Sequence, residues 1–279
     1  MGNYIELSFI VEPKEQGCEV LIAELAEVGF ESFVENETGF CGYIKEEEFE
    51  ETKLNEVVSS LKNVFKIDYS KKIIVQENWN KVWESNFEPI EIDGKCLVRA
   101  PFHPQKKGFL YDVIIEPKMS FGTGHHNTTQ LMIEKLMELD VKGKRVLDMG
   151  CGTGVLAIVA GMMGAKPIMA VDIDDWSVEN TIENLGRNNC ENVIVEKGHA
   201  NVLAGKEFHT ILANINKNVL LKDMETYFNC LKKEGNLVMS GFFETDVEEI
   251  SEKAIWLGLK LEEKKVSNEW AVLWFIKNL

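Results

Sequence analysis

The sequence predicts an α/β protein in two parts, a small α+β unit followed by a doubly wound α/β domain. Three observations predict it. Over the first seventy-odd residues, strand-like and helix-like stretches follow the order strand, helix, strand, strand, helix, strand. From about Cys96 onward, apolar strands and helices alternate. Two glycine runs, "FGTGHHNTT" (Phe121–Thr129) and "DMGCGTG" (Asp148–Gly154), lie about twenty residues apart within that alternation.

In the first unit, "YIELSFIV" (Tyr4–Val11) alternates apolar and polar residues and is β-rich, which predicts a strand. "EQGCEVLIAELAEVGF" places Val20, Leu21, Leu25 and Val28 on one helical stripe that Gly29 ends. "ESFVEN" and "FCGYIKE" read as two short strands around a turn at Thr38–Gly39. "TKLNEVVSSLKNVF" carries Leu54, Val57, Val58, Leu61, Val64 and Phe65 on one helical face, and "KKIIVQE" (Lys71–Glu77) closes the unit as a strand. This order is the split βαβ pattern of ferredoxin-like domains, a fold that hosts many functions. The expected boundaries are 1–66 for this domain, 67–95 for a linker and 96–279 for the second domain. In the linker, Trp79, Trp83 and Phe87 recur every four residues, so on a helix they share one face until Pro89 ends it. That face either packs on a neighbouring domain or grips substrate.

The second domain reads in order. "FLYDVIIE" is a strand, "TTQLMIEKLMEL" a helix, "RVLDMG" a strand and "GVLAIVAGMMG" a helix. "PIMAVDID" is a strand, "SVENTIENLGRNN" a helix, and "VIVEKG" and "HTILANI" are strands. "LLKDMETYFNCL" is a helix, "GNLVMSGFF" a strand, "DVEEISEKAIWLGL" a helix, and "KLEEKKVSNEWAVLWFIKN" an antiparallel strand pair.

Bulk properties narrow the function. The 279 residues are 45% hydrophobic and 27% charged, an ordinary globular balance. The longest apolar run, "VLAIVAGMMGA", has about half the length a bilayer span needs. The leading "MGNYIELSFIVEP" carries early acids and no basic segment, unlike a signal peptide. The six cysteines show neither close pairing nor zinc spacing with histidine, which fits free thiols in a reducing cytoplasm and no metal site. A net charge of −16 argues against direct nucleic-acid binding and favours a cationic partner.

"RVLDMGCGTGVLAIVAG" is a buried strand, a glycine turn and an apolar helix in direct succession, with free amides at the helix start. A dinucleotide fingerprint requires G-x-G-x-x-G, and here Val155 stands in the third place. The observed D-x-G-x-G-x-G spacing, with Asp148 first and Gly150 and Gly152 in the turn, fits an S-adenosylmethionine (SAM) site better than a dinucleotide or a plain structural turn. Asp172 follows Gly150 by twenty-two residues at a strand end, where an acid can accept ribose hydroxyls. Asp174 and Asp175 are expected to cap the next helix. Asn214, at the end of "ILAN", can hold the cofactor, orient an incoming amine, or serve only as a turn residue.

The stretch "IEPKMSFGTGHHNTT", followed by "VLDMGCGTGVLAIVA", "AVDID", "ILANI" and "MSGFF", resembles the bacterial methyltransferases of large-subunit ribosomal protein eleven. Their G-T-G-x-H-x-T-T signature is matched at Gly122, Thr123, Gly124, His126, Thr128 and Thr129. "ENWNKVWESNFEPI" resembles the family's linker and the first unit its substrate-recognition domain, so the resemblance spans nearly the whole chain. Asn127 replaces a usual proline, and Lys118 a usual glycine. The resemblance implies a cytoplasmic SAM-dependent methyltransferase of lysine and N-terminal amines on that ribosomal protein. It also implies that the first glycine loop folds over the methionine end of the cofactor. Thr129 is carried over as a SAM contact, and Phe121 as a cover for the adenosyl group or the transfer channel. The threonine pair alternatively caps its helix, and His126 alternatively serves the loop structurally. A methyltransferase of this fold with another target, and a non-catalytic ribosome-associated protein, are the alternatives.

Overall fold

The computed structural model describes residues 3–74, 87–118 and 120–278. The chain divides into two compact units, Met1–Asn86 and Phe87–Leu279. Trp79 and Trp83 of the expected linker helix lie outside the described residues.

The first unit contains β1 (Tyr4–Glu12), α1 (Lys14–Glu27), β2 (Ser32–Glu35), β3 (Gly39–Lys45), α2 (Glu51–Leu61) and β4 (Lys66–Ile74). Its sheet has the order β2-β3-β1-β4, antiparallel throughout. The period-two alternation of β1 buries Ile5, Leu7, Phe9 and Val11. Against them α1 packs Cys18, Leu21 and Leu25, and α2 packs Leu54, Val57 and Val58. Each large aliphatic side chain buried this way contributes about 1.5–3 kcal/mol. Gly29, at φ 104°, turns the chain after α1. β4 pairs with β1 from Lys66 to Ile74, so residues 67–74, which the expected boundary gave to a linker, form a strand of this sheet.

The second unit begins with β5 (Ile90–Ile92), β6 (Cys96–Arg99) and β7 (Tyr111–Ile114), a small separate sheet. The alternating pattern suggested only β7, and as part of the doubly wound sheet. A buried Arg99 holds β6 to β7 through two bonds to Asp112, at 2.7 and 3.0 Å. There follow α3 (Asn127–Glu138), β8 (Val146–Met149), α4 (Val155–Met162), β9 (Ile168–Asp172), α5 (Asp175–Arg187) and β10 (Val193–Lys197). Then come β11 (Phe208–Asn214), α6 (Lys217–Cys230), β12 (Leu231–Phe243), α7 (Val247–Trp256), β13 (Leu259–Ser267) and β14 (Trp270–Lys277).

The main sheet has seven strands in the order β10-β9-β8-β11-β12-β14-β13. β14 runs antiparallel to both its neighbours, and the other pairings are parallel, so the sheet is mixed. Side chains alternate between two cores. Val146, Ile168 and Ala170 join α3 and α4 on one face. Leu147, Met169 and Val171 join α6 and α7 on the other. From β8 the chain first builds outward to β9 and β10, then crosses to β11 and β12. The strand order therefore reverses beside β8, and at such a switch point a ligand crevice opens beyond the strands' carboxyl ends.

Candidate functional site at the carboxyl end of the sheet

The second glycine run connects β8 to α4. Gly150, Gly152 and Gly154 all have positive φ (74°, 55° and 78°), which a side chain would resist. A Cβ on Gly152 would stand 2.2 Å from the Phe121 carbonyl oxygen, and one on Gly150 would stand 2.1 Å from the Ile215 Cγ2. The first glycine run lies directly on the second. The Thr153 amide donates to the Phe121 carbonyl at 2.9 Å, and its hydroxyl donates to the Gly122 carbonyl at 2.7 Å. The two runs thus form one double-walled turn.

Three strand ends bring charged and amide groups to this turn. Asp148 is buried; its Oδ2 accepts from the Ala157 amide at 3.0 Å, in the first turn of α4, while Oδ1 has no partner among the described residues. Burial pushes its carboxyl up to about 7. Asp172, 8% exposed, accepts from the Gly152 amide at 2.9 Å and the Asp174 amide at 3.1 Å, leaving lone pairs on both oxygens. Asp174 holds the capping position of α5, but its side chain makes no capping bond, and Asp175 pairs with Lys197 instead, so the expected aspartate cap is not formed. Asn214 ends β11. Its Nδ2 reaches the Thr129 hydroxyl at 3.5 Å, and its Oδ1 is buried without a partner among the described residues.

A cleft of about 500 Å³ opens over these groups, lined by Phe121, Gly150, Gly152, Asp172 and Asn214 among others. Five of the six residues singled out from sequence for cofactor binding therefore meet in one cavity. The sixth, Thr129, is 1% exposed and stands behind Asn214, outside the lining. Phe121, half exposed, also lines a second, more open groove of about 490 Å³ with His125 and His126.

His126 takes the capping role that sequence gave to the threonines. Its Nδ1 accepts from the Thr128 amide at 3.3 Å and lies 2.8 Å from the Thr128 hydroxyl. Burial lowers its pKa, which keeps the ring neutral and its Nδ1 an acceptor. The two departures from the family pattern find partners. The Asn127 Oδ1 accepts from Asn268 at 3.4 Å, and Lys118 pairs with Glu183.

Sequence reasoning missed the device that aligns the loops. Asn180 and Asn184 on α5 and Asn188, just past its end, recur every four residues; the first two are buried and Asn188 is half-buried. Asn184 donates to the Thr153 carbonyl and accepts from the Glu116 amide, each at 2.9 Å. Asn188 makes a reciprocal pair with the Ile114 backbone at 2.7 and 2.8 Å. Thr181 donates to the Gly152 carbonyl at 2.9 Å. One polar stripe thereby ties the second glycine run to the strand that leads into the first. Its spacing was visible in "SVENTIENLGRNN", but polar residues on a helix ordinarily face water. Gly241 was missed too: at φ 95° it lies so close to Ile215 that a Cβ would stand 2.4 Å from that carbonyl oxygen.

The site's chemistry fits a compact ligand with an amino group, a positive centre and ribose hydroxyls. Asn214 Oδ1 has no partner among the described residues and is an acceptor, Asp172 retains acceptor capacity, and the glycines leave room for backbone approach.

Known proteins resemble this chain in sequence and in fold. The family model described as ribosomal protein L11 methyltransferase (PrmA) matches residues 11–278. The ribosomal protein L11 methyltransferase of Phocaeicola vulgatus is 44% identical over 278 residues, covering 98% of this chain and 99% of that protein. That of Porphyromonas gingivalis is 46% identical over 268 residues, covering 94% and 91%. Among solved structures, a ribosomal protein L11 methylase from Lactobacillus delbrueckii subsp. bulgaricus aligns with a TM-score of 0.64 at 25% identity, covering 69% of this chain and 100% of that one. A methyltransferase from Pyrococcus furiosus, TM-score 0.50 at 21% identity over 60% of this chain and 90% of that one, shares the fold.

Proposed function

The chain belongs to the ribosomal protein L11 methyltransferase family, and from that premise we propose that it transfers methyl groups from SAM to lysine side-chain and N-terminal amines of ribosomal protein L11. The observation that carries this reading is the double glycine turn after β8, with Asp172 and Asn214 at the ends of the strands on either side, β9 and β11, opening into one cleft. When bound, SAM supplies a methyl on a sulfonium sulfur, which a neutral amine displaces in line, the pair of the broken C–S bond staying on sulfur.

This chain's residues hold and orient. Asp172 is read as the acceptor for ribose hydroxyls, with Gly152 held in place by the same carboxylate. Gly150 and Gly152 let the backbone approach the ligand. Phe121 covers the cleft mouth between its two cavities. Asn214, through its Oδ1, which has no partner among the described residues, accepts an N–H of the incoming amine and so aims the nitrogen lone pair. Thr129 acts through Asn214, whose amide it anchors. A lysine ammonium, with a reference pKa of about 10.4, loses its proton more readily when desolvated beside a positive centre. Water then takes the proton, so the reading requires no dedicated base.

The first unit is read as a ferredoxin-like recognition domain, on its β-α-β-β-α-β order and β2-β3-β1-β4 sheet. Met1–Asn86 contains 8 Lys and Arg against 18 Asp and Glu, a net charge of −10 out of the chain's −16. That suits a basic ribosomal protein. No helix among the described residues is long and apolar enough to cross a membrane. A ribosomal substrate supports a cytoplasmic site of reaction.

The deciding experiment incubates the protein with ribosomal protein L11 and methyl-labelled SAM, then reads the substrate by mass spectrometry. Added methyl masses on amines are expected. Calorimetric SAM binding without any methyl transfer to L11 leaves the fold and removes this substrate, and no SAM binding removes the activity.

A further inference from the structure

The seven-stranded sheet ends in two unlike edges, β13 and β10. β13 is guarded as solvent-facing edges usually are. It carries Lys260, Glu262, Glu263, Lys264 and Lys265, and its ladder to β14 slips between Leu261 and Glu263. β10 reads Val193-Ile194-Val195-Glu196-Lys197 and, among the described residues, pairs only with β9. The Asn192 carbonyl accepts from the Ile168 amide at 3.1 Å, and the Gly198 amide donates to the Asp172 carbonyl at 2.9 Å. Bonding residues alternate along a ladder, so Val193, Val195 and Lys197 turn their amides and carbonyls away from β9. Both faces beside this open edge are apolar. On the α5 side, Ile182, Leu185, Val193 and Val195 help line a groove of about 400 Å³. On the other side, Ile194 borders a groove of about 220 Å³ with Met169 and Phe208. Ile194 is 63% exposed and Ile182 54%, so this edge presents large aliphatic groups where β13 presents charges.

We infer that β10 is the contact of a homodimer, in which a second copy adds its own β10 antiparallel about a two-fold axis at Ile194. The strand's self-complementarity selects this occupant, since a two-fold contact must match itself. Centred on Ile194, the register sets Val193 against the partner's Val195 and Ile194 against the partner's Ile194. Val193 and Val195 then exchange their outward backbone bonds across the axis. The same register sets Glu191, which lines the α5-side groove, against the partner's Lys197. Lys197 pairs with Asp175 at 2.7 Å with both side chains more than half exposed, so it has room for a second carboxylate. Centred on Val195 instead, the edge would set Ile194 against Glu196 and Val193 against Lys197, apolar groups against charges. The first register matches apolar with apolar and acid with base. Because the two β10 strands run oppositely, the two clefts lie at opposite ends of the joined sheet, and neither uses the contact. The dimer therefore stands apart from the methyltransferase reading.

The test follows the full chain by analytical ultracentrifugation over about a hundredfold range of concentration. Twice the mass of one chain is expected at the upper end. Ile194→Asp should stay monomeric throughout, since like charges directly opposite repel. Its circular dichroism should remain native, because the side chain is exposed. Glu191→Lys should weaken association about two- to thirty-fold, the effect of losing two cross-strand ion pairs, and adding Lys197→Glu should restore it. Cross-linking reads the register. Ile194 would form a non-hydrogen-bonded pair with its counterpart, Cα atoms about 4.5 Å apart, within the roughly 4.4–6.8 Å that a disulfide spans. Ile194→Cys should therefore link two chains under mild oxidation, and Glu196→Cys, set against the partner's Asn192, should not, with the parent's own cysteines as the blank. A parent that stays monomeric at every concentration overturns the inference. So does a dimer that Ile194→Asp leaves intact, or a link through Glu196→Cys in place of one through Ile194→Cys. Should Ile194→Asp misfold, the two cysteine variants decide.

Discussion

Single side chains set the site's affinity and its response to pH. Asp172→Ala removes the acceptor for the Gly152 amide and, on the proposed reading, the one for ribose as well. A charge-assisted bond contributes about 1.5–3 kcal/mol, so SAM affinity should fall about 10- to 150-fold in calorimetry while the chain stays folded. Asn184→Leu strands the Thr153 carbonyl and the Glu116 amide in a buried place. Each unpaired group costs about 1–3 kcal/mol, and thermal unfolding should show a loss of about 2–5 kcal/mol. Asp148 governs a pH response. Its buried carboxyl is raised to about 7 in the folded protein. The stability this gives is whole below the unfolded value of about 3.9 and is lost as pH rises through about 7. Asp148→Asn should therefore have a higher Tm relative to the parent at pH 8 than at pH 5. A constant difference across that range would contradict the assignment.

At the scale of elements, the glycine turns were legible in sequence because side chains rarely adopt their backbone, and Gly150, Gly152 and Asp172 could be placed from spacing alone. The strand and helix order of the main sheet was legible for the same kind of reason, since the apolar period changes at each junction. Other features were not. β5 and β6 are only 3 and 4 residues long, too short for periodicity to register. Thr129 looked like a ligand contact because a hydroxyl at a helix start can be one, and only the packing shows it behind Asn214. The rings of Phe121 and Trp270 both contact His126 although they lie 149 positions apart, and no local pattern encodes that. Two substitutions probe elements rather than groups. Gly152→Ala drives a methyl into the Phe121 carbonyl. It should part the two turns, abolishing measurable SAM binding while circular dichroism stays native. Glu269→Gly relieves the positive φ of the last hairpin and should raise stability by up to about 1 kcal/mol, read as a higher Tm.

For the whole molecule, charge is unevenly shared: the first unit holds most of the negative excess and the second holds the cleft. A chain starting at Phe87 should bind SAM normally and lose methylation of L11. In the intact protein, raising ionic strength from about 0.05 to 0.5 M shortens the Debye length severalfold and should raise KM for L11 with little change in SAM affinity. Equal salt sensitivity of both would place the charge effect at the cleft instead. The strand order has one more consequence. β13 is synthesised before β14 but touches the sheet only through it, because β14 lies between β12 and β13. On the ribosome, then, β13 must wait as an unpaired ribbon, and the outer flank of β12 stays open, until the chain has doubled back. Trp270 opens that returning segment, so its ring contact with His126 forms only once β14 has paired with β12.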